Sequence, residues 1–99
     1  MVKWTRSGRA KVGKMWQAVA FAKEITEYIN KKYGVSLSAY TDAFGEIGTI
    51  RWFADYANLD AKEKLFNQLM ADKEYMQKLS PIAELFVEGS FYDTVMFAL

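Results

Sequence analysis

The spacing of apolar side chains switches between a period of two and a period of three to four along this chain, and the order of the switches restricts the fold more than any single motif. Val2 to Arg9 alternates and carries Val, Trp and Thr, as a half-buried strand does. SGRAKVGK follows as a basic, glycine-bearing turn. From Met15 to Tyr33 the positions Met15, Val19, Ala22, Ile25, Ile29 and Tyr33 recur every three or four residues, which predicts a helix. Gly34 stops it where a left-handed cap needs no side chain. Val35–Phe44 and Ile47–Tyr56 read as two extended stretches joined at Gly45-Glu46, a sequence suited to a two-residue type II′ turn.

That turn predicts cross-strand pairs Phe44 with Ile47, Asp42 with Thr49 and Tyr40 with Arg51 on one side. On the other it predicts Ala43 with Gly48, Thr41 with Ile50, Ala39 with Trp52 and Leu37 with Ala54. The second side is small and nearly all apolar, as helices packed on it require. Asn58 or Asp60 caps the next helix, whose buried stripe is Leu65, Phe66, Leu69 and Met70; Asp60 and Glu63 have the spacing of a capping box. Asp72 marks a break and restart before Tyr75, Met76 and Leu79, and Ser80-Pro81 opens a further short turn. Phe91 to Leu99 alternates again and closes the chain.

The order strand, helix, strand, strand, helix, strand is the ferredoxin-like βαββαβ pattern of an α+β fold, in one domain spanning residues 1–99. Right-handed crossovers place both helices on one face of a four-stranded antiparallel sheet. The other face is then bare. With Tyr40, Phe44, Ile47 and Phe53 turned toward water, it predicts a covering partner, and a second copy of the chain supplies one with closed symmetry. The alternation leaves open which side of the first and last strands faces inward.

Composition removes several chemistries. The chain has no cysteine and no histidine, which excludes disulfides, thiolate chemistry, the usual zinc sites and the commonest general base. The residues call for no metal and no cofactor. A net charge of +1 provides no field for a nucleic-acid partner, and the strand carrying Trp52 and Phe53 lacks the basic-glycine-aromatic order of an RNA-binding sheet. Charges interrupt MVKWTRSGR, and no apolar run reaches the roughly 18 residues of a membrane span. The expectation is a cytoplasmic protein without membrane contact. GRAKVGKM has the glycines and lysine of a phosphate loop but puts Met15 where the magnesium-binding hydroxyl belongs, so at most the loop and helix start hold a phosphate or carboxylate.

Arg51 stands in the middle of an otherwise apolar strand, opposite Tyr40 and diagonal to Asp42. Either the three form a structural ion-pair cluster at the dimer interface, or Arg51 offers its five-donor fork to an anionic or carbonyl group of a ligand. Trp4, Trp16 and Trp52, with Tyr28, Tyr56, Tyr75 and Tyr92, pack a core or line an aromatic pocket. Asp93 on the last strand is placed to pair with Arg6 on the first. The ligand-binding candidates are therefore Arg51, Tyr40, Asp42, Trp52, Arg6, Trp4 and Asp93, around a cavity between sheet and helices or between two sheets; no catalytic residue is assigned.

The GRAKVGK approach to the first helix, the FGEIGTIRWFADYANLDA stretch, ADKEY and ELFVEGSFYDT together resemble the dimeric α+β barrel superfamily, and most of all its small NIPSNAP-like proteins. The resemblance covers nearly the whole chain. It implies a homodimer whose sheets face each other, in a superfamily that includes cofactor-free monooxygenases, haem-degrading enzymes and many members of unknown activity. Without histidine the haem-ligating role has no residue here. A cofactor-independent oxygenase acting on an aromatic or carbonyl compound stays open, with Arg51 or Trp52 as anion stabiliser and Tyr40 or Asp42 as proton carrier; so does a plain assembly module. Gly8-Arg9 is also similar to the loop of acylphosphatase, but Gln17 stands where that family places its arginine.

Overall fold

The computed structural model describes all 99 residues. Its elements are β1 (Val2–Arg9), α1 (Met15–Tyr33), β2 (Ser38–Thr41), β3 (Thr49–Tyr56), α2 (Leu59–Met70), α3 (Lys73–Lys78), α4 (Ile82–Leu85) and β4 (Tyr92–Phe97). The strands lie in the order β2-β3-β1-β4, every neighbouring pair antiparallel, which is the ferredoxin-like arrangement expected from the periodicity. No helix is long and apolar enough to cross a membrane.

Register decides sidedness. Arg6 stands opposite Trp52 on one neighbour and Asp93 on the other, and Ala39 stands opposite Trp52. Trp4, Arg6, Ala39, Trp52, Ala54 and Asp93 therefore share one face of the sheet. Lys3, Thr5, Tyr40, Arg51, Phe53 and Met96 share the other. The helices cover the first face. There Ile50, Trp52 and Ala54 of β3 pack against Phe21, Ile25 and Ile29 of α1 and against Leu65, Leu69, Leu85 and Phe86. Ile50 and Phe86, each 2 % exposed, mark its centre, and burying side chains of this size contributes about 1.5–3 kcal/mol apiece.

α1 has no side-chain cap at Lys14 and no acid in its first turn, so its buried row, not its N-terminus, holds it in place. Gly34 ends it at φ 67, its N–H donating to the Asn30 carbonyl. Asn58, not Asp60, caps α2, accepting from the Ala61 N–H at 2.9 Å, and Asp60 lies inside the first turn. Asp72 restarts the helix as the N-cap of α3.

Three expectations change. The β2–β3 connection is not a two-residue turn at Gly45-Glu46 but a loop over residues 42–48, and the ladder holds only Ser38–Thr41 against Ile50–Phe53. At its far end the Asp42 carboxylate accepts from the Arg51 Nε and Nη2 and from the Glu46 N–H, so Asp42 leaves the strand; Gly48 makes the turn into β3 at φ 97. At its near end the Asn30 side chain takes both the Leu37 N–H and the Leu37 carbonyl, which removes Leu37 from pairing with Ala54. Phe66 and Met70 do not join the buried stripe of α2; they border a cavity mouth beside Leu65 and Leu69. The outer sheet face is less apolar than expected, because Phe44 (91 % exposed) and Ile47 (74 % exposed) sit in the loop. Lys3–Asp55 and Arg51–Asp42 ion pairs and a Thr5–Thr94 hydroxyl contact lie among the aromatics of that face.

Candidate ligand-binding site

Between the β1–β4 half of the sheet and helices α1, α2 and α3 lies a cavity of about 110 Å³. Ten of its 13 lining residues are hydrophobic; Arg6, Asp93 and Lys62 are the charged ones. A second chamber of about 50 Å³, the inner one in that it lies against buried Trp52, Phe21 and Ile25, is also bordered by the partly exposed Phe91. The two share Trp4, Arg6, Ile29, Leu37 and Tyr75 as walls, so they adjoin. Of the two locations expected from the sequence, the space between sheet and helices is the one this chain forms by itself.

Arg6 is held by its neighbour across the strands. Its Nε donates to Asp93 Oδ1 at 2.7 Å and its Nη2 to Asp93 Oδ2 at 2.9 Å, while the Trp4 indole N–H reaches Asp93 Oδ2 at 3.3 Å. The guanidinium also lies over the Trp4 ring, 5.2 Å from its centroid. Hydrogen bonding to Asp93 raises the Arg6 pKa against the opposing effect of burial. For Asp93 burial acts upward, and the bonds from Arg6 and Trp4 outweigh it, so the carboxyl titrates below its usual range. The pair uses two guanidinium N–H groups and leaves three free. Tyr75, 6 % exposed and shared by both chambers, has its phenol pKa raised by burial and pulled back by Arg6.

Trp52 lines the inner chamber at 5 % exposure, and its indole N–H has no acceptor. A buried donor left in this state costs about 1–3 kcal/mol. Phe91 forms another wall of the same chamber because Gly8 makes room for it: a Cβ at Gly8 would stand 2.8 Å from the ring.

Arg51, Tyr40 and Asp42 are brought together, but on the opposite face. Arg51 grips Asp42 with Nε at 2.8 Å and Nη2 at 3.0 Å, which holds the Asp42 carboxyl below and the guanidinium above their usual ranges. Glu46 adds a weaker ion pair at 3.8 Å. These residues line an open depression with Lys3, Ser38 and Phe53. The seven candidates thus divide across the sheet: Trp4, Arg6, Trp52 and Asp93 inside, Tyr40, Asp42 and Arg51 outside. Gly8 and Arg9 lie in β1 itself, so GRAKVGKM does not form the open cradle of a phosphate loop. The structure gathers no group of three or more His, Cys, Asp or Glu side chains suited to a metal.

Reasoning from sequence missed the hub at Asp72. Its carboxylate, 3 % exposed, accepts from the Tyr28 and Tyr33 hydroxyls at 2.7 Å each, from Lys32 Nζ at 3.0 Å and from the Tyr75 N–H at 3.0 Å. Burial alone would raise its pKa; these four donors drive it far below the carboxylate range. The hub clamps α1 to the start of α3, the helix that carries Tyr75 into the cavity wall.

A four-stranded antiparallel sheet with its helices on one face defines the ferredoxin-like class used by the dimeric α+β barrels. The NIPSNAP sequence profile matches residues 5–94, and the chain belongs to the NIPSNAP family. A NIPSNAP family protein of unknown function from Agrobacterium tumefaciens is similar in structure, with TM-score 0.85, 21% identity, and 100% of this chain and 94% of that one covered. An uncharacterized NIPSNAP domain protein from Burkholderia xenovorans is similar at TM-score 0.85 and 15% identity, with 100% and 95% covered. The fold extends to an antibiotic biosynthesis monooxygenase, at TM-score 0.75 and 12% identity, with 100% and 99% covered. No curated protein matches the chain by sequence.

Proposed function

We propose that this chain binds a small apolar molecule bearing an anionic or carbonyl group in the cavity between sheet and helices, and that it does so as a homodimer joined through the outer sheet face. One observation carries the binding reading: an apolar cavity whose wall holds Arg6 with three unused N–H donors. With Lys62 and Arg6 against Asp93, the lining carries a net charge of +1. Glu63, 3.6 Å from Lys62 Nζ, answers part of that charge, and the remainder favours an anion over an amine.

The probe that tests it is 4-phenylbutanoate, an apolar body with one carboxylate, followed by tryptophan fluorescence. A Kd of about 0.1–1 mM suits a ligand of this size. Val35→Phe adds bulk at the cavity wall without altering a charge and abolishes the response. Equal binding by Val35→Phe, or none by the parent, defeats the reading.

The dimer rests on the uncovered outer face, where Tyr40 and Phe53 meet edge to face at 5.6 Å and, across β1, exposed Tyr92 and Met96 of β4 share the surface. Sedimentation equilibrium decides it: two chains per particle at micromolar concentration support the pairing, and a monomer refutes it.

A second reading, an enzyme, is favoured by the fold shared with the monooxygenase together with an arginine and a buried phenol, Tyr75, in one cavity. Under it the anion-stabilising role expected of Arg51 passes to Arg6. Oxygen uptake on 1,4-dihydroxynaphthalene above the uncatalysed rate, lost in Val35→Phe, supports turnover; an unchanged rate rejects it.

A further inference from the structure

Among the side chains around the two chambers, open donors outnumber open acceptors. Arg6 keeps three free N–H groups, the Trp52 indole N–H has no acceptor, and the Tyr75 hydroxyl and Lys62 ammonium add more. The one strong acceptor, Asp93, already has both oxygens engaged, Oδ1 by Arg6 and Oδ2 by Arg6 and Trp4. A ligand that itself donates finds only the hydroxyl oxygens of Tyr56 and Tyr75 and one remaining lone pair on Asp93 Oδ1, fewer partners than the open N–H groups offer an acceptor. A ligand rich in acceptors satisfies it.

We infer that the ligand is an apolar carboxylate carrying a second, carbonyl-type oxygen, with the carboxylate at Arg6 and Lys62 in the outer chamber and the carbonyl oxygen accepting from the Trp52 indole N–H in the inner one. This rests on the proposed binding function and adds the chemical class of ligand to it. The shared walls put the two chambers side by side, and one ligand reaches both by passing between Trp4, Arg6, Ile29, Leu37 and Tyr75. The indole N–H is sealed from water. No solvent has to be displaced from it when the carbonyl arrives, but the inner wall must yield slightly to let the oxygen in. Phe91, 36 % exposed and stacked on Trp52 with ring centroids 6.4 Å apart, is the wall that has to shift.

The test compares 4-oxo-4-phenylbutanoate with 4-phenylbutanoate, which share skeleton and carboxylate and differ in one carbonyl oxygen. On the parent protein the oxo compound binds about tenfold tighter or more. In Trp52→Phe, which keeps an aromatic ring and loses the N–H, that ratio falls to about one. A second measurement does not require the variant to fold: the Trp52 indole N–H proton resonance, assigned with Trp4→Phe and Trp16→Phe, moves downfield with the oxo compound and not with its partner. Equal affinity of the two probes for the parent overturns the inference while leaving the binding function standing, as does a ratio that survives Trp52→Phe or an indole proton indifferent to the carbonyl. Failure of both probes to bind removes the binding function and this inference with it.

Discussion

Arg6–Asp93 and Arg51–Asp42 are the same contact made twice, once on each face of one sheet. Both are two-pronged, at 2.7 and 2.9 Å in the first and 2.8 and 3.0 Å in the second, and both join side chains brought near by strand pairing or its continuation. What differs is the surroundings. Around Arg6 stand Trp4, Tyr75 and the apolar row of α2, and its unused donors border two chambers. Around Arg51 stand Ser38, Tyr40 and Glu46, and its unused donors meet an open depression. An ion pair of given geometry therefore says little about function on either face. Exposure does not separate the two arginines, at 36 % for Arg6 and 33 % for Arg51; the apolar wall beside Arg6 does.

The largest effect that separates the faces is on stability. Asp72 clamps the helix layer to itself above the inner face, and nothing comparable covers the outer one. Asp72→Ala leaves two tyrosines and a helix start without their acceptor and lowers Tm by on the order of 10 °C in thermal unfolding followed by circular dichroism. A change of one or two degrees removes the hub from the account. Next is binding. Arg6→Met weakens 4-phenylbutanoate by about 10–100-fold, the range of a charged hydrogen bond, whereas Arg51→Met leaves its Kd within about twofold and instead raises the dimer dissociation constant. The reverse assignment would move the site to the outer face.

Acid distinguishes the hub from the rest of the chain more gently. Asp72, Asp42 and Asp93 all have folded pKa values below their unfolded ones, so their stabilisation is present above about pH 4 and is lost as pH falls below that through the folded values. With no histidine, no side chain of ordinary pKa titrates between about pH 5 and 8, and the urea midpoint is flat there. A fall between pH 8 and 5 contradicts this. In Asp72→Ala the acid limb is shallower than in the parent. The smallest effect expected is from Gly8→Ala, which presses a methyl group on Phe91 and narrows the inner chamber. It weakens both probes by a few fold, because each carries its phenyl ring toward that chamber, and the same fluorescence titration reads it.

The element order was readable because strand and helix impose different apolar periods, and Met15–Tyr33 and its glycine stop appear as the residues specify. Sidedness was not readable for β1, where Trp4, Arg6 and Gly8 alternate with Lys3, Thr5 and Ser7 and neither set is clearly apolar; only the register with β3 assigns them. The grip of Arg51 on Asp42 was expected from strand alternation, yet that grip removes Asp42 from the strand and turns a tight hairpin into a loop. Asp72 advertised itself as a helix restart. Its tyrosine partners lie 39 and 44 residues away, a distance no local pattern bridges.

One spectrum bears most directly on which face holds the ligand. In amide and indole correlation spectra of the parent protein titrated with 4-phenylbutanoate, Trp4, Arg6, Leu65 and Tyr75 are expected to shift together with one Kd while Tyr40, Arg51 and Phe53 stay still. Shifts confined to Tyr40, Arg51 and Phe53 would contradict it.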